Sequence, residues 1–182
     1  MVVSVDATAL AALRLARQAV ERYVEAQFLV DPPADLPSAL RERSGAFVTL
    51  RTRGQLRGCI GTLAPTRPDI AREIIACAVA AARDDPRFPP VRIDELARLG
   101  YEVDLVGPLE AIEGPDGLDP KLYGLLVEAE DRRGVLLPDL QGVDTVEQQL
   151  GIARRKAGLA LDIPTRLYRF EVRRFVEDTP GR

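Results

Sequence analysis

Histidine and tryptophan are absent from the 182 residues, cysteine occurs twice, and methionine once. The missing histidine removes Ser-His-Asp and Cys-His catalytic arrangements, and with them the side chain most readily poised near neutral pH. Acid–base chemistry is left to carboxylates, lysine and tyrosine. Two thiols, Cys59 and Cys77, are too few for a secreted disulfide scaffold, and without histidine they cannot complete a common four-ligand zinc site. No metal is therefore expected. No apolar run reaches the ~18 residues of a membrane span, and Met1–Asp6 lacks the basic flank and apolar stretch of a signal segment. A cytoplasmic protein is the expectation. The net charge of −3 argues against wrapping a long nucleic acid, which needs many cations against phosphates. Only local basic patches remain, Arg51, Arg53 and Arg57 in one place and Arg154, Arg155 and Lys156 in another.

The sequence does hold an ordinary share of hydrophobic residues, 46%, with 29% charged. A chain of this size buries roughly 70% of its unfolded surface in a core. Apolar residues at Leu10, Leu13, Ala16, Val20, Val24 and Phe28 recur in steps of three or four, predicting a helix from Asp6 to about Phe28. Prolines at 32, 33 and 37 then impose a loop. Ala46–Arg53 and Leu56–Leu63 alternate as two strands around a Gly54-Gln55 turn. A second helix is expected from about Asp69 to Ala82, with Ile70, Ile74, Cys77, Ala78 and Ala81 facing the core and Thr66 or Arg67 near its start. Cys77 is read there as a packed, structural thiol.

Arg83-Asp84-Asp85-Pro86-Arg87-Phe88-Pro89-Pro90 ends that helix in extended chain. A short helix around Asp94–Leu99, a strand from Tyr101, a bend at Gly107-Pro108 and a second hairpin from Leu122 to Leu137 follow. Asp144 with Glu147 has capping-box spacing for a third helix ending at Gly158, and Leu167–Val176 reads as one last strand. The order is that of an α+β fold, mostly antiparallel sheet flanked by helices.

The least ordinary stretch is Leu56-Arg57-Gly58-Cys59-Ile60-Gly61-Thr62, a thiol between two strand glycines. Glycine in a strand marks a bulge or a close approach by another backbone or a ligand. Simple alternation places Leu56, Gly58 and Ile60 on one face and Arg57, Cys59 and Gly61 on the other.

These residues resemble the signature hexapeptide of the AMMECR domain family, the A component of the AmmeMemoRadiSam group. Asp85-Pro86-Arg87-Phe88-Pro89-Pro90 resembles the family's second motif, Gly134-Val135-Leu136-Leu137-Pro138 its third and Lys156-Ala157-Gly158-Leu159 its fourth, followed by Tyr168-Arg169-Phe170. The resemblance spans almost the whole chain. It implies one domain over 1–182, or two interleaved lobes, with a larger and a smaller lobe and the cysteine motif beside the cleft between them. It also implies a Memo-like protein and a radical SAM protein as partners. This chain departs from the family in carrying Tyr123 where many members have histidine before Gly124-Leu125, and in lacking a tryptophan after Lys156-Ala157-Gly158-Leu159.

Several functions are open at this level. Cys59 as a nucleophile or covalent carrier needs a thiolate, with Arg57 and Lys156 as the cations to lower its pKa and Asp104 or Glu102 as acid or base. As a binding site, the backbone N–H groups at Gly58 and Gly61, with Arg57, Asp85 and Arg87, would hold a small anionic ligand or a partner. An RNA-associated protein is the third reading. The sequence leaves the cofactor open.

Overall fold

The computed structural model describes residues 6–160 and 163–177; the N-terminal stretch read against a signal segment lies largely outside them. In chain order it forms α1 (Ala7–Ala26), β1 (Ala46–Thr52), β2 (Gln55–Gly61), α2 (Ile70–Arg83), β3 (Leu99–Val106), β4 (Glu110–Ile112), β5 (Gly124–Ala129), β6 (Arg132–Leu136), α3 (Val146–Lys156), β7 (Arg166–Phe170) and β8 (Val172–Val176). The fold is α+β, with strand orders β2-β1-β3-β8 and β4-β7-β5-β6. Two compact units divide the chain, Met1–Val106 with Arg173–Arg182, and Gly107–Val172.

In the first unit, Asp6 caps α1 by accepting from the Thr8 N–H at 3.0 Å. The buried stripe of α1 is Ala12, Leu15, Ala16, Ala19 and Val20, with Leu13 and Val24 packed at its margin; of the expected positions only Leu10 and Phe28 are exposed, the latter beyond the end of the helix. The alanines at 12, 16 and 19 let α1 lie close against α2, a packing preference that hydrophobic spacing alone does not register. One sheet face, through Val48, Leu50, Tyr101 and Val103, joins this stripe and Ile74, Cys77, Ala78 and Ala81 of α2 in a single core. The hairpin turns through Arg53 and Gly54, both with positive φ, as a tight two-residue connection requires.

α2 is capped by Asp69, which accepts from the Arg72 N–H at 2.8 Å, rather than by Thr66 or Arg67. Those residues serve another group. Glu73, fully buried, accepts from the Thr62 and Thr66 hydroxyls at 2.8 Å each and from the Thr66 and Arg67 N–H groups at 2.7 and 2.8 Å. Burial alone would raise its carboxyl, but these bonds hold it below the ordinary value. The segment leaving β2 is thereby fixed to the start of α2.

In the second unit, β5, β6, β7 and α3 enclose a core of Leu125, Val127, Leu136 and Ala153. The capping box of α3 is Thr145 with Gln148, one residue past the expected Asp144 and Glu147. The stretch read as one last strand is two: Glu171 separates β7 from β8, and these belong to different sheets. Alternation continues through the break, so nothing in the local pattern marks it.

Candidate functional site

The site begins with a β-bulge. The tight turn pairs Thr52 with Gln55 and Arg51 with Leu56, but the next pairs are Leu50 with Gly58 and Thr49 with Cys59. Arg57 is the inserted residue, and it resets which side chains share a face. Leu56 falls in phase with Arg51, whereas Gly58 and Ile60 follow Leu50 and Val48. The expected placing of Leu56 with Gly58 and Ile60 is corrected accordingly: it falls on the side of Arg51, Thr49 and Cys59. Arg57 instead gives its guanidinium to Glu95, at 2.7 and 2.9 Å, and to the Pro90 carbonyl at 3.4 Å.

The glycines of the motif are positions of close approach. A Cβ on Gly58 would run into the Ala81 carbonyl oxygen of α2, and one on Gly61 into the Phe47 ring. The outward N–H is also occupied. Asp85, with its side chain 2% exposed, accepts from the Cys59 N–H at 2.8 Å. The same carboxylate accepts from the Arg87 N–H at 3.1 Å and from its guanidinium at 2.9 and 2.7 Å. Hydrogen bonds from Arg87, Cys59 and the Arg87 backbone hold the Asp85 carboxyl well below the usual carboxylate range against the effect of burial. Asp85 thus staples the second sequence motif to the first. Arg87 remains half exposed, its guanidinium 5.6 Å from the Phe88 ring centroid, with Arg57 on the same ring at 6.0 Å.

Across the strands from Cys59 lies a buried polar row. Thr49 pairs with Glu102 on β3, and Phe47 with Asp104. Thr49 Oγ1 donates to Cys59 Sγ at 3.2 Å. Arg51 reaches Glu102 at 3.2 Å, and Arg174 of β8 bridges Glu102 at 3.2 Å and Asp104 at 2.7 Å. Burial raises the Asp104 carboxyl, Arg174 works against that, and Glu102 adds to it; the balance lies above the ordinary value.

The same environment acts on the thiol. Burial pushes Cys59 up; the Thr49 hydroxyl and the charge of Arg87 pull it down, and Asp104 and Glu102 push it further up, for a net rise. The cation felt by Cys59 is therefore Arg87. Cys77, buried on α2 with Sγ donating to the Ala46 carbonyl at 3.4 Å, is pushed up to about 12, chiefly by burial. Both thiols are protonated at neutral pH. Alkylation of Cys59 by iodoacetamide at pH 7 is expected to be at least ~10-fold slower than for a model thiol, whose pKa is about 8.5. The rate should keep climbing beyond pH 9. Labelling as fast as the model thiol at pH 7 would contradict this environment. The raised thiol also carries a stability term, complete below the unfolded value and lost as pH rises through the folded one.

The structure thus brings Cys59, Gly58, Gly61, Asp85 and Arg87 together and sets Asp104 on the same sheet face as the thiol. Lys156 belongs to the second unit, where its Nζ donates to the Val135 carbonyl at 2.8 Å. The third and fourth motifs meet there: Gly134 admits the Ala153 carbonyl oxygen, which a Cβ would strike. Tyr123, in the family's histidine position, lies against the Arg169 guanidinium at 4.4 Å. Thr49, Glu95 and Arg174 escaped the sequence reading. The cross-strand register would have found Thr49, but only with the bulge known. Arg51 and Arg154 of the two basic patches are engaged internally, Arg154 with the Ala160 and Ile163 carbonyls at 2.8 and 3.1 Å. Among the described residues, no group of three or more Cys, Asp or Glu is placed to hold a metal ion, and no helix is long and apolar enough to cross a membrane.

Comparison with known proteins places these segments in a wider set. The AMMECR1 family model matches residues 13–175. A Thermotoga maritima protein is 48% identical over 166 residues, covering 90% of this chain and 95% of its own length. A Thermococcus kodakarensis protein is 42% identical, covering 92% and 89%. The crystal structure of an uncharacterized protein from Pyrococcus horikoshii superimposes with a TM-score of 0.86 at 38% identity, over 93% of this chain and 91% of that one.

Proposed function

This chain belongs to the AMMECR1 family, and on that premise we propose that it is a binding component whose working surface is built on the Leu56–Gly61 strand and the Asp85–Pro90 segment. The observation that carries this reading is the state of Cys59. Its surroundings keep the thiol neutral, while the arginine beside it is fixed by Asp85 and left half exposed. A nucleophile needs the opposite arrangement, a thiolate favoured by nearby cations. Arg87 and Arg57, both beside the Phe88 ring, suit an anionic group: Asp85 takes the Nε and Nη2 of Arg87, and the Nη1 edge of the half-exposed guanidinium is left to bind a carboxylate or phosphate.

The ligand is a carboxylate- or phosphate-bearing group, supplied by a small molecule or by a partner protein. A Memo-like protein and a radical SAM protein are the partners the motif resemblance implies. The test is affinity for each purified partner, measured for the unmodified chain and for Arg87→Glu. A charge reversal at an exposed arginine is expected to weaken binding ~10-fold or more and to reduce its salt dependence. Equal affinities for the two chains would overturn the role of this surface.

A further inference from the structure

We propose that a groove along α1 is the docking surface for a basic amphipathic helix of a partner protein, apolar at one end and carrying Lys or Arg at the other. Two cavities, of about 350 and 720 Å³, share Gln18 and Pro33 in their linings and so form one groove. Its lining on α1 includes positions 7, 11, 14, 18, 21 and 25, one continuous helix face. At 1.5 Å per residue that face is about 27 Å long. The opposite wall comes from the loop 30–37.

The two ends differ in chemistry. Toward the start of α1, Leu10, Leu15 and Leu36 line the smaller cavity, where Arg14 and Asp35 balance in charge. Toward its end, Phe28 and Val30 line the larger one, with Glu21, Glu25 and Asp31 against Arg22. Phe28 is 60% exposed and the adjacent Leu29 63%, apolar surface of the kind that marks an interaction site when it rims a groove. The negative excess is not answered internally. Arg17 reaches Glu21 at 3.2 Å, but among the described residues Glu25 and Asp31 have no ion-pair partner. Glu25 also stands in the last turn of α1, which has no basic residue, whereas α2 ends with Arg83 and α3 with Arg154, Arg155 and Lys156. An acid at a helix C-terminus opposes the helix dipole. Arg83 reaches Tyr23 Oη in that turn at 3.0 Å, but Asp84 neutralises its guanidinium. A cation from outside relieves Glu25, Asp31 and the helix end together.

The walls select the form of the occupant. α1 satisfies its own backbone, and three of the seven residues 31–37 are prolines with no N–H to donate. Arg41 takes the Ala34 and Leu36 carbonyls at 2.5 and 3.3 Å, and the Leu40 N–H takes that of Pro37 at 3.0 Å. An extended peptide docks through main-chain bonds and finds few here, whereas a helix arrives with its backbone paired and lays one face into a groove. Ala7 and Ala11 let the two helix axes approach at the apolar end. The inference rests on none of the residues around Cys59.

The probe is a fluorescein-labelled, alanine-based helical peptide of about 18 residues, the length of the groove. It carries leucines on one face of its first two turns and arginines on the same face of its last two. A second peptide has glutamate for each arginine, and a third has prolines at its centre. By fluorescence anisotropy the unmodified chain is expected to bind the arginine peptide ~10-fold or more tighter than either of the others. Glu25→Arg combined with Asp31→Arg, both at exposed positions, should invert the preference for arginine over glutamate. Phe28→Ser should weaken binding of the arginine peptide ~5-fold or more. Equal affinity for the arginine and glutamate peptides overturns the proposal. So does a preference that the double variant keeps, since the basic peptide then sits elsewhere on this acidic chain. Undiminished binding of the proline peptide would make the occupant extended. An unmodified chain that sediments as a dimer until Phe28→Ser separates it would make the occupant a second copy, and either result refutes the partner helix.

Discussion

Asp85→Ala is expected to lower the melting temperature by about 10 °C, the largest effect of any single side-chain truncation around Cys59. The carboxylate is almost fully buried and accepts from the Cys59 N–H, the Arg87 N–H and the Arg87 guanidinium. Its removal strands a buried strand amide and releases the segment that carries Arg87 and Phe88. Breaking a buried pair by deleting one partner costs about 3–5 kcal/mol, and ~2–4 °C of melting temperature accompanies each kcal/mol in a chain of this size. Thermal unfolding followed by circular dichroism checks the shift, and a melting temperature within ~2 °C of the unmodified chain would refute it.

The same residue predicts an acid response. The folded Asp85 carboxyl sits below its ordinary value, so its contribution is complete above the unfolded pKa of about 3.9 and drains away as the pH falls toward the folded one. Stability of the unmodified chain should therefore drop more steeply below about pH 4 than that of Asp85→Ala.

Gly58→Ala should cost about 3 kcal/mol, at the upper end for adding one methyl group to a packed interior. The added Cβ meets a helix backbone oxygen, Ala81 of α2, rather than a side chain that can rotate away. Relief requires moving β2 off the helix, which also strains the Asp85 bond to Cys59. Gly54→Ala is the contrast. Nothing lies within 4 Å of its Cβ, and its φ of +75° is the whole difficulty, worth about 1–2 kcal/mol for a left-handed residue with a side chain. Urea midpoints of the two variants should separate in that order with unchanged slopes. A Gly58→Ala midpoint equal to or above that of Gly54→Ala would mean the helix does not press on the strand.

The elements themselves were legible in the residues wherever a local rule governs them. Proline placement marked the loops, the positions of Ile70, Ile74, Cys77, Ala78 and Ala81 marked the buried face of α2, and glycine pairing drew attention to β2. The α1 stripe was read in part: Ala16 and Val20 are buried as expected, but Ala12 and Ala19 join them because packing on α2 favours alanines that spacing did not single out. The break at Glu171 went unseen because β7 and β8 both alternate, and membership of separate sheets is a property of their neighbours.

At the site, the chain's composition determined the chemistry on offer. With no histidine and two thiols, the site was left a lone cysteine, arginines, lysine and carboxylates, and the motif glycines pointed to a bulge or a close approach. The tertiary structure decided how those groups are used. One inserted residue, Arg57, shifts the register so that Cys59 faces Thr49 instead of the core-facing Val48. That bulge sits where Gly58 must receive the Ala81 carbonyl, a contact set by α2 from more than twenty residues away in the chain. The pKa of the thiol follows the same logic. It depends on burial and on Asp104, Glu102 and Arg87, charges that stand far from Cys59 in sequence and approach it only when the sheet and the Asp85–Pro90 segment have closed around it.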